Sequence, residues 1–282
     1  MRIQFAAFAD ESSKEFQGQI DALRRNDLDF LEIRNVNGRN VTELAASEAR
    51  QMRDILADQG LTVWSIGSPI GKMDVGGDYG AHLEVYKHTL ELANVFGAGR
   101  IRLFSFFMPK GARPEDFRQL VLDRMGQLAE LATSAGLVAC HENEKGIYGD
   151  MAARCLELHQ AVPRLKAVFD PANFVQCGQD TLSAWEMLAP YVDYLHIKDA
   201  LADGQVVAPG DGLGNVAAIV EKYIRDGGRV MTLEPHLFSF DSLQKLEREG
   251  ERSGVGGLHF ATAEAAFDFA ASKIKKIVEE LQ

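Results

Sequence analysis

Short apolar segments alternate with helical patterns along the whole chain. Eight segments predict strands, and their roughly 25–40-residue spacing leaves room for a βα unit of about 30 residues each time. An alternation of strands with helices predicts a parallel sheet. The predicted strands are Ile3–Phe8, Phe30–Ile33, Leu61–Ile66, Arg100–Phe104, Leu137–His141, Ala167–Phe169, Tyr194–Ile197 and Val230–Leu233.

The intervening segments carry the three-four apolar spacing of helices. Asp180 or Thr181 stands where it could cap a helix over Leu182–Leu188, and Glu264–Leu281 predicts a final helix. Eight strands and eight helices in this order predict an α/β fold, a closed (β/α)8 TIM barrel, as one domain over residues 1–282. A doubly wound open sheet has the same local pattern, but its first strand usually leads into a glycine-rich turn. Here that turn is Ala9-Asp10-Glu11-Ser12.

Composition restricts the size of the core, the cellular compartment and the kind of partner expected for this protein. A 282-residue chain with 46% hydrophobic residues can bury one large core. No apolar run reaches the roughly 18 residues that a membrane span needs, and the N-terminal residues lack the features of a signal peptide. Three scattered cysteines favour a reducing cytoplasm. The net charge of −11 opposes nucleic acid as the main partner, because phosphate backbones would be repelled.

Four consecutive predicted strands end in a carboxylate or an imidazole. These groups are Glu142, Asp170, His196 and Glu234. The C-terminal strand ends of a barrel meet at one face, where catalytic groups lie, so we expect the four side chains to converge. Because unpaired buried charges are costly, a divalent cation is their natural partner. Three oxygen donors and one nitrogen donor favour Mn²⁺, Mg²⁺ or Co²⁺, and Zn²⁺ also fits.

Several further polar residues lie near these strand ends. Lys198 shares the parity of His196, and could bind substrate or neutralise Asp199 or Glu234. His236 shares the parity of Glu234 and is predicted to contact substrate. Glu32, Arg34 and Arg102 interrupt apolar strands; an ion-pair layer inside the barrel is favoured for Arg102, whereas Glu32 also remains a candidate for substrate contact.

Two loops have unusual composition. The glycine-rich stretch 209–214 follows the seventh strand, where some barrels bind phosphate, but it contains Asp211 and no basic residue. The segment Asp241–Phe260 is long for a loop in a compact domain, which predicts a functional segment over the metal site or against a neighbouring subunit. A disordered surface insertion is the alternative.

The strand ends Glu142-Asn143, Asp170-Pro171-Ala172-Asn173, His196-Ile197-Lys198-Asp199 and Leu233-Glu234-Pro235-His236 resemble the xylose isomerase-like sugar phosphate isomerase/epimerase superfamily. The resemblance spans essentially the whole chain. It implies that Glu142, Asp170, His196 and Glu234 bind the metal, and that Glu142 and Glu234 also move protons. Ketose 3-epimerases commonly have His where this chain has Asn173. Asn can bind a sugar hydroxyl but cannot titrate, which leaves other activities open.

The leading hypothesis is a metal-dependent isomerase or epimerase of a small sugar or polyhydroxy ketone, acting by proton transfer through an enediolate held on the metal. Dehydration of an inositol-derived ketone shares the first step and is the alternative. An endonuclease IV-like nuclease would need more histidines and a basic face, and a non-catalytic sugar-binding barrel would need the same ligands. Analogy with relatives also leaves a homo-oligomer open.

Overall fold

Eight parallel strands form the centre of the computed structural model, which describes residues 2–238, 256 and 258–281. The strands are β1 Gln4–Ala7, β2 Phe30–Ile33, β3 Thr62–Ile66, β4 Arg100–Leu103, β5 Val138–Glu142, β6 Lys166–Phe169, β7 Val192–Ile197 and β8 Val230–Leu233. The helices are α1 Phe16–Arg25, α2 Ala46–Asp58, α3 Tyr79–Phe96, α4 Arg118–Ser134, α5 Ala152–Ala161, α6 Pro171–Gln176, α7 Thr181–Leu188, α8 Val216–Arg225 and α9 Ala263–Glu280.

The strands close into a barrel, because β1 pairs in parallel with both β2 and β8. Along the β1–β8 seam, Gln4 lies opposite Val230 and Ala7 opposite Leu233. The closed barrel confirms the fold predicted from sequence. The open-sheet alternative fails, since it would leave two edge strands unpaired. All eight predicted strands are present, with ends shifted by at most two residues.

Most of the hydrophobic core lies between the barrel and the surrounding helices. The barrel interior, by contrast, contains a polar layer in which Ser65, Tyr194, Thr232 and Glu32 are buried. The Tyr194 hydroxyl donates to Glu32 Oε1 at 2.8 Å, and the Thr232 hydroxyl donates to Glu32 Oε2 at 2.6 Å. This layer lies directly beneath the strand ends. Among the described residues, no helix is long and apolar enough to cross a membrane.

The loops after β3, β4 and β5 join into one rim at the C-terminal face. The Phe104 N–H donates to the Ile70 carbonyl, and the Phe106 N–H donates to the Gly71 carbonyl. The Met108 N–H donates to the Gly146 carbonyl. Gly71 has φ +92°, and a Cβ there would lie 1.9 Å from the Phe104 carbonyl oxygen, so only glycine fits this contact. The bonded loops give one side of the barrel mouth a fixed wall.

Candidate metal centre

The four side chains predicted as ligands meet at the C-terminal face of the barrel. Glu142 is the last residue of β5, Asp170 and Glu234 directly follow β6 and β8, and His196 lies within β7. All four are buried, and one potential ligand atom from each lies within 4.8 Å of the others. They converge because parallel strands in one barrel end at one level.

The donor atoms at the centre of this cluster suit a cation. His196 Nδ1 lies 3.1 Å from Glu142 Oε1 and 3.2 Å from Glu234 Oε2. Each residue also has one buried atom without a hydrogen bond of regular geometry in the described structure. These atoms are Glu142 Oε2, Asp170 Oδ2, His196 Nδ1 and Glu234 Oε2. These atoms make ionic contacts with Arg102, with Lys198 and with one another. Three carboxylates and one imidazole whose ligand atoms lie within 4.8 Å of one another fit a divalent ion held by these four residues.

Glu32 orients the imidazole of His196 from below. His196 Nε2 lies 3.3 Å from Glu32 Oε2, so Nδ1 faces the other three ligands. Burial opposes a charge on His196, but Glu142, Glu32 and Glu234 outweigh it and raise its pKa well above the ordinary value. A carboxylate behind a ligating histidine typically fixes ring orientation. Glu32 is fully buried with both oxygens engaged, which favours this supporting role over the substrate contact predicted from sequence.

Asn173 braces two of the ligands. The Asp170 side chain caps α6 by accepting the Asn173 backbone N–H at 3.0 Å. The Asn173 amide donates to the Asn143 carbonyl at 2.8 Å and to Glu142 Oε1 at 3.3 Å. Asn143 in turn donates to the Asp170 carbonyl and accepts its N–H, both at 2.9 Å. Asn173, predicted to bind substrate, is thus 2% exposed and holds Glu142 in place.

Lys198 lies in the same layer as the ligands, as its parity with His196 predicts. Its Nζ is 2.9 Å from Asp170 Oδ2 and 3.5 Å from Glu234 Oε2. Burial would lower the pKa of Lys198, but Asp170, Glu234 and Glu144 outweigh it and raise the pKa well above its ordinary value. The ammonium group is therefore a cation beside the cluster. Asp199, the alternative partner predicted for it, faces elsewhere.

The Asp199 carboxylate is enclosed by the glycine-rich loop that follows β7. Oδ2 accepts the backbone N–H groups of Gly210 and Gly212, both at 3.0 Å, and Oδ1 accepts that of Gly214 at 2.8 Å. A Cβ on Gly212 would lie 2.4 Å from this carboxylate. The backbone donors that a phosphate would use already bind the protein's own carboxylate, so phosphate binding by this loop is disfavoured.

Arg102 belongs to an ion-pair layer, as predicted. Its Nη1 lies 3.1 Å from Glu142 Oε2, and its Nη2 donates to the Gly67 carbonyl at 3.1 Å. The Phe8 ring lies between two guanidinium groups, with Arg34 Cζ at 4.2 Å and Arg102 Cζ at 5.0 Å from its centroid. The same ring packs edge-on against His196. Phe8 is therefore the apolar floor of the cluster.

Sequence reasoning missed Asp10 and Glu11, which occupy a short 3-10 turn after β1. Both are buried and bind Arg34, whose Nη1 donates to Glu234 Oε1 at 2.9 Å. His236 Nε2 lies 3.2 Å from Glu11 Oε1 and 3.4 Å from Glu234 Oε1. Both acids lie just after β1. An examination of the residues that follow the first predicted strand, like that made for strands five to eight, would have identified them.

His236 adopts a left-handed backbone conformation with φ +47°. Such a conformation costs a residue with a side chain about 1–3 kcal/mol and persists where its surroundings enforce it. Here the His236 N–H donates to Glu11 Oε2 at 2.7 Å. Burial opposes a charge on the imidazole, but Glu11 outweighs it and raises the pKa of His236 to about 9. The structure thus brings the predicted substrate-contact residue to Glu234, at the edge of the cluster.

Most of the predicted cover, Asp241–Phe260, lies outside the described residues. Within its described part, the Gly256 N–H donates to the Val206 carbonyl at 2.8 Å. That contact joins the segment to the short hairpin Asp199–Ala200/Val206–Val207 that follows β7. A role for the segment as a cover remains a prediction.

Solved structures with the same fold span nearly the whole chain. A probable 3-DHS dehydratase, AsbF, involved in petrobactin synthesis in Bacillus anthracis is 17% identical, with TM-score 0.74 over 98% of this chain and 99% of the other. A Mycobacterium smegmatis xylose isomerase-like TIM barrel protein in complex with magnesium is 15% identical, with TM-score 0.71 over 100% and 98%. An L-ribulose 3-epimerase is 17% identical, with TM-score 0.75 over 100% and 96%. These identities establish shared fold alone.

No curated protein sequence matches this chain significantly. A family model does match, and it describes the xylose isomerase-like TIM barrel over residues 20–249. That range runs from α1 past Glu234 and includes all four residues of the cluster. It agrees with the closed barrel and with the resemblance seen at the strand ends. The chain therefore belongs to the xylose isomerase-like TIM barrel family.

Proposed function

We propose that this protein is a divalent-metal-dependent isomerase or epimerase of a small sugar or other polyhydroxy ketone. The observation that carries the proposal is the buried cluster of Glu142, Asp170, His196 and Glu234, whose potential ligand atoms lie within 4.8 Å of one another. The epimerase and the magnesium complex among the similar folds support the same class of chemistry. Mg²⁺, Mn²⁺ and Co²⁺ suit the donor set best, and Zn²⁺ also fits. The IOLI protein, which has a similar fold, binds a zinc atom.

A bound divalent ion would polarise a substrate carbonyl and thereby acidify the adjacent C–H group. Residues of the chain then remove this proton and return it. Glu142 and Glu234 come from β5 and β8 and flank His196 Nδ1 at 3.1 and 3.2 Å. Carboxylates on two sides of one centre can remove a proton from one face of a carbon and return it to the other. That two-sided arrangement is what an epimerisation requires, whereas one of the two suffices for an isomerisation.

Lys198 supplies positive charge where negative charge develops on substrate oxygen. Its ammonium group lies between Asp170 and Glu234, and Glu144 reinforces its charge. A fixed cation in a buried site stabilises an oxyanion without reorganising when the reaction occurs. His236, held beside Glu234, is the second group that can donate a hydrogen bond to substrate. Both residues therefore remain candidates for substrate binding.

A dehydratase of an inositol-derived or similar cyclic ketone is the second candidate. It would begin with the same proton removal and then expel a hydroxyl group. Lys198 favours this candidate, because an ammonium group beside the carboxylates can protonate the departing hydroxyl. The dehydratase among the proteins of similar fold points to the same possibility.

Deuterium incorporation tests the proposal before the substrate is known. Protein stripped with a chelator and reloaded with Mn²⁺ is incubated in D₂O with ketopentoses, ketohexoses, inosose and 3-DHS. We expect one compound to acquire deuterium on the carbon beside its carbonyl, only when metal is present. A product that lacks one water molecule relative to the starting compound would identify a dehydratase. The absence of exchange throughout the panel, with metal bound, would count against the proposed substrates and their shared chemistry.

Variants of the two glutamates assign the proton transfer. Glu142→Gln and Glu234→Gln keep the side-chain shape and should slow exchange by roughly 10²–10⁴-fold, the usual contribution of general base catalysis. Glu130→Gln is the matched control, because Glu130 is an exposed glutamate paired with Arg164 on the barrel's exterior. A glutamine variant that binds metal and turns over normally would show that the replaced carboxylate is a ligand only.

A further inference from the structure

Glu234 presents its two oxygens to different surroundings. Oε2 lies 3.2 Å from His196 Nδ1 and 3.5 Å from Lys198 Nζ, on the side of the cluster. Oε1 accepts a hydrogen bond from Arg34 Nη1 at 2.9 Å and lies 3.4 Å from His236 Nε2. Arg34 and His236 thus lie against one oxygen of Glu234, and the other oxygen is directed at the cluster.

Glu11 contacts both Arg34 and His236. Its Oε1 lies 3.1 Å from Arg34 Nη2 and 3.2 Å from His236 Nε2. Its Oε2 accepts the His236 backbone N–H at 2.7 Å, and that contact fixes the left-handed backbone of His236. Glu11 is 4% exposed and lies at the end of the turn after β1, next to β8 across the barrel seam.

We propose that Glu11 is a positioning residue for Glu234: by holding Arg34 and His236 it keeps Oε1 engaged and directs Oε2 alone toward the metal. The proposal rests on the metal centre of the proposed function. It assigns a role to Glu11, whose described contacts do not include Glu142, Asp170 or His196. Partners that orient metal ligands typically change metal affinity 10–100-fold when they are replaced.

Metal binding by Glu11→Gln, measured on folded protein, tests this role. The glutamine keeps the side-chain shape, but its NH₂ group must face Arg34 or His236 in place of an oxygen. We expect the Mn²⁺ dissociation constant, measured calorimetrically, to rise 10–100-fold. With Co²⁺ as the probe, freeing Glu234 to bring both oxygens to the ion should raise the coordination number and weaken the visible d–d bands.

Asp10→Asn is the matched control. Asp10 lies on the same turn, is buried and binds Arg34 through both oxygens, but its described contacts do not include His236. The variant removes the same charge while leaving Glu11 to hold Arg34 and His236, so its metal affinity should fall less. A Glu11→Asp variant, too short to reach both Arg34 and His236, provides a second test if glutamine prevents folding, and it should show the same spectral change.

The outcomes separate this role from a general contribution to stability. A Glu11→Gln protein with the wild-type Co²⁺ spectrum, or with a Mn²⁺ dissociation constant no larger than that of Asp10→Asn, would overturn the proposal. A loss of thermal stability in the metal-free Glu11→Gln protein, with an unchanged Mn²⁺ dissociation constant, would indicate a structural role only and would also overturn the proposal. Failure of the wild-type protein to bind Mn²⁺ would instead overturn the metal centre itself, and with it the proposed function.

Discussion

Asp170 and Asn173 are linked by a hydrogen bond of 3.0 Å from the Asn173 backbone N–H to Asp170 Oδ1. One carboxylate therefore does two things: Oδ1 caps the first turn of α6, and Oδ2 points to Lys198 and the cluster. A short helix beginning directly after β6 thereby fixes the rotamer of a predicted metal ligand. The amide of Asn173 extends the same restraint to Glu142.

Asp170→Asn should separate these two contributions. An asparagine keeps an oxygen for the cap, so the barrel should remain folded, but it removes the charge that a divalent ion requires. We expect the Mn²⁺ dissociation constant to rise roughly 100-fold or more, beyond the loss typical of supporting residues. Calorimetric titration of the metal-free protein provides the measurement, with circular dichroism to confirm folding.

Asp180→Asn is the control for the cap. Asp180 caps α7 in the same way, by accepting the Ser183 N–H, and it is exposed. This substitution should leave Mn²⁺ affinity unchanged within error. Equal affinities for wild type and Asp170→Asn would remove Asp170 from the metal centre.

Asp199→Ala should destabilise the protein through the glycine-rich loop. The substitution leaves the N–H groups of Gly210, Gly212 and Gly214 without their shared acceptor. Gly210 is exposed and Gly212 half-buried, so water can replace the carboxylate at their N–H groups, but Gly214 is buried. An unsatisfied buried donor costs roughly 1–3 kcal/mol, so we expect a loss of about 1–3 kcal/mol in the free energy of unfolding. Urea denaturation measures it. Asp203→Asn, at an exposed turn residue of the neighbouring hairpin, should cost less than about 1 kcal/mol, as surface substitutions usually do. A similar small loss for Asp199→Ala would refute the anchoring role.

His159 should make stability depend on pH in the acidic range. Burial lowers the pKa of His159 to about 4, from an ordinary value of 6.5. Between these values the unfolded chain binds a proton that the native chain does not, so stability falls as pH decreases from about 6.5 to about 4. The shift corresponds to about 3 kcal/mol.

His159→Phe should abolish this component. The ring stacks on Tyr191 at a centroid distance of 5.3 Å, and phenylalanine can keep that packing while losing the bond to the Leu165 carbonyl. The wild type should be the more stable protein at pH 8, and its advantage should shrink by about 3 kcal/mol by pH 4. A difference between the two unfolding free energies that does not vary with pH would show that His159 does not titrate in this way.

The sequence carried enough information to predict the barrel and the meeting of four side chains. Strand ends in a closed parallel barrel lie at one level, so Glu142, Asp170, His196 and Glu234 could be placed together before their distances were known. Parity also placed Lys198 correctly beside them. These predictions depend only on the regular geometry of strands.

The partners of these residues could not be predicted in the same way. Arg34 follows β2 and reaches Glu234, after β8, across the intervening strand β1 and 200 positions of sequence. Strand parity does not reveal such pairings. The alternation of side chains along a strand ends with β8 at Leu233, and His236 itself has a left-handed backbone that redirects the chain. Strand parity therefore could not be used to place the His236 side chain. The glycine-rich stretch was ambiguous, because a loop rich in backbone donors fits a phosphate as well as the carboxylate of Asp199.

The most direct test of the metal centre is the anomalous scattering of Mn²⁺ in a crystal of the metal-loaded protein. We expect one strong difference peak per chain, within bonding distance of Glu142, Asp170, His196 and Glu234, and a weaker peak or none in Asp170→Asn crystals. A peak bound by other residues, or no peak at this cluster at saturating Mn²⁺, would show that these four residues do not form the metal site.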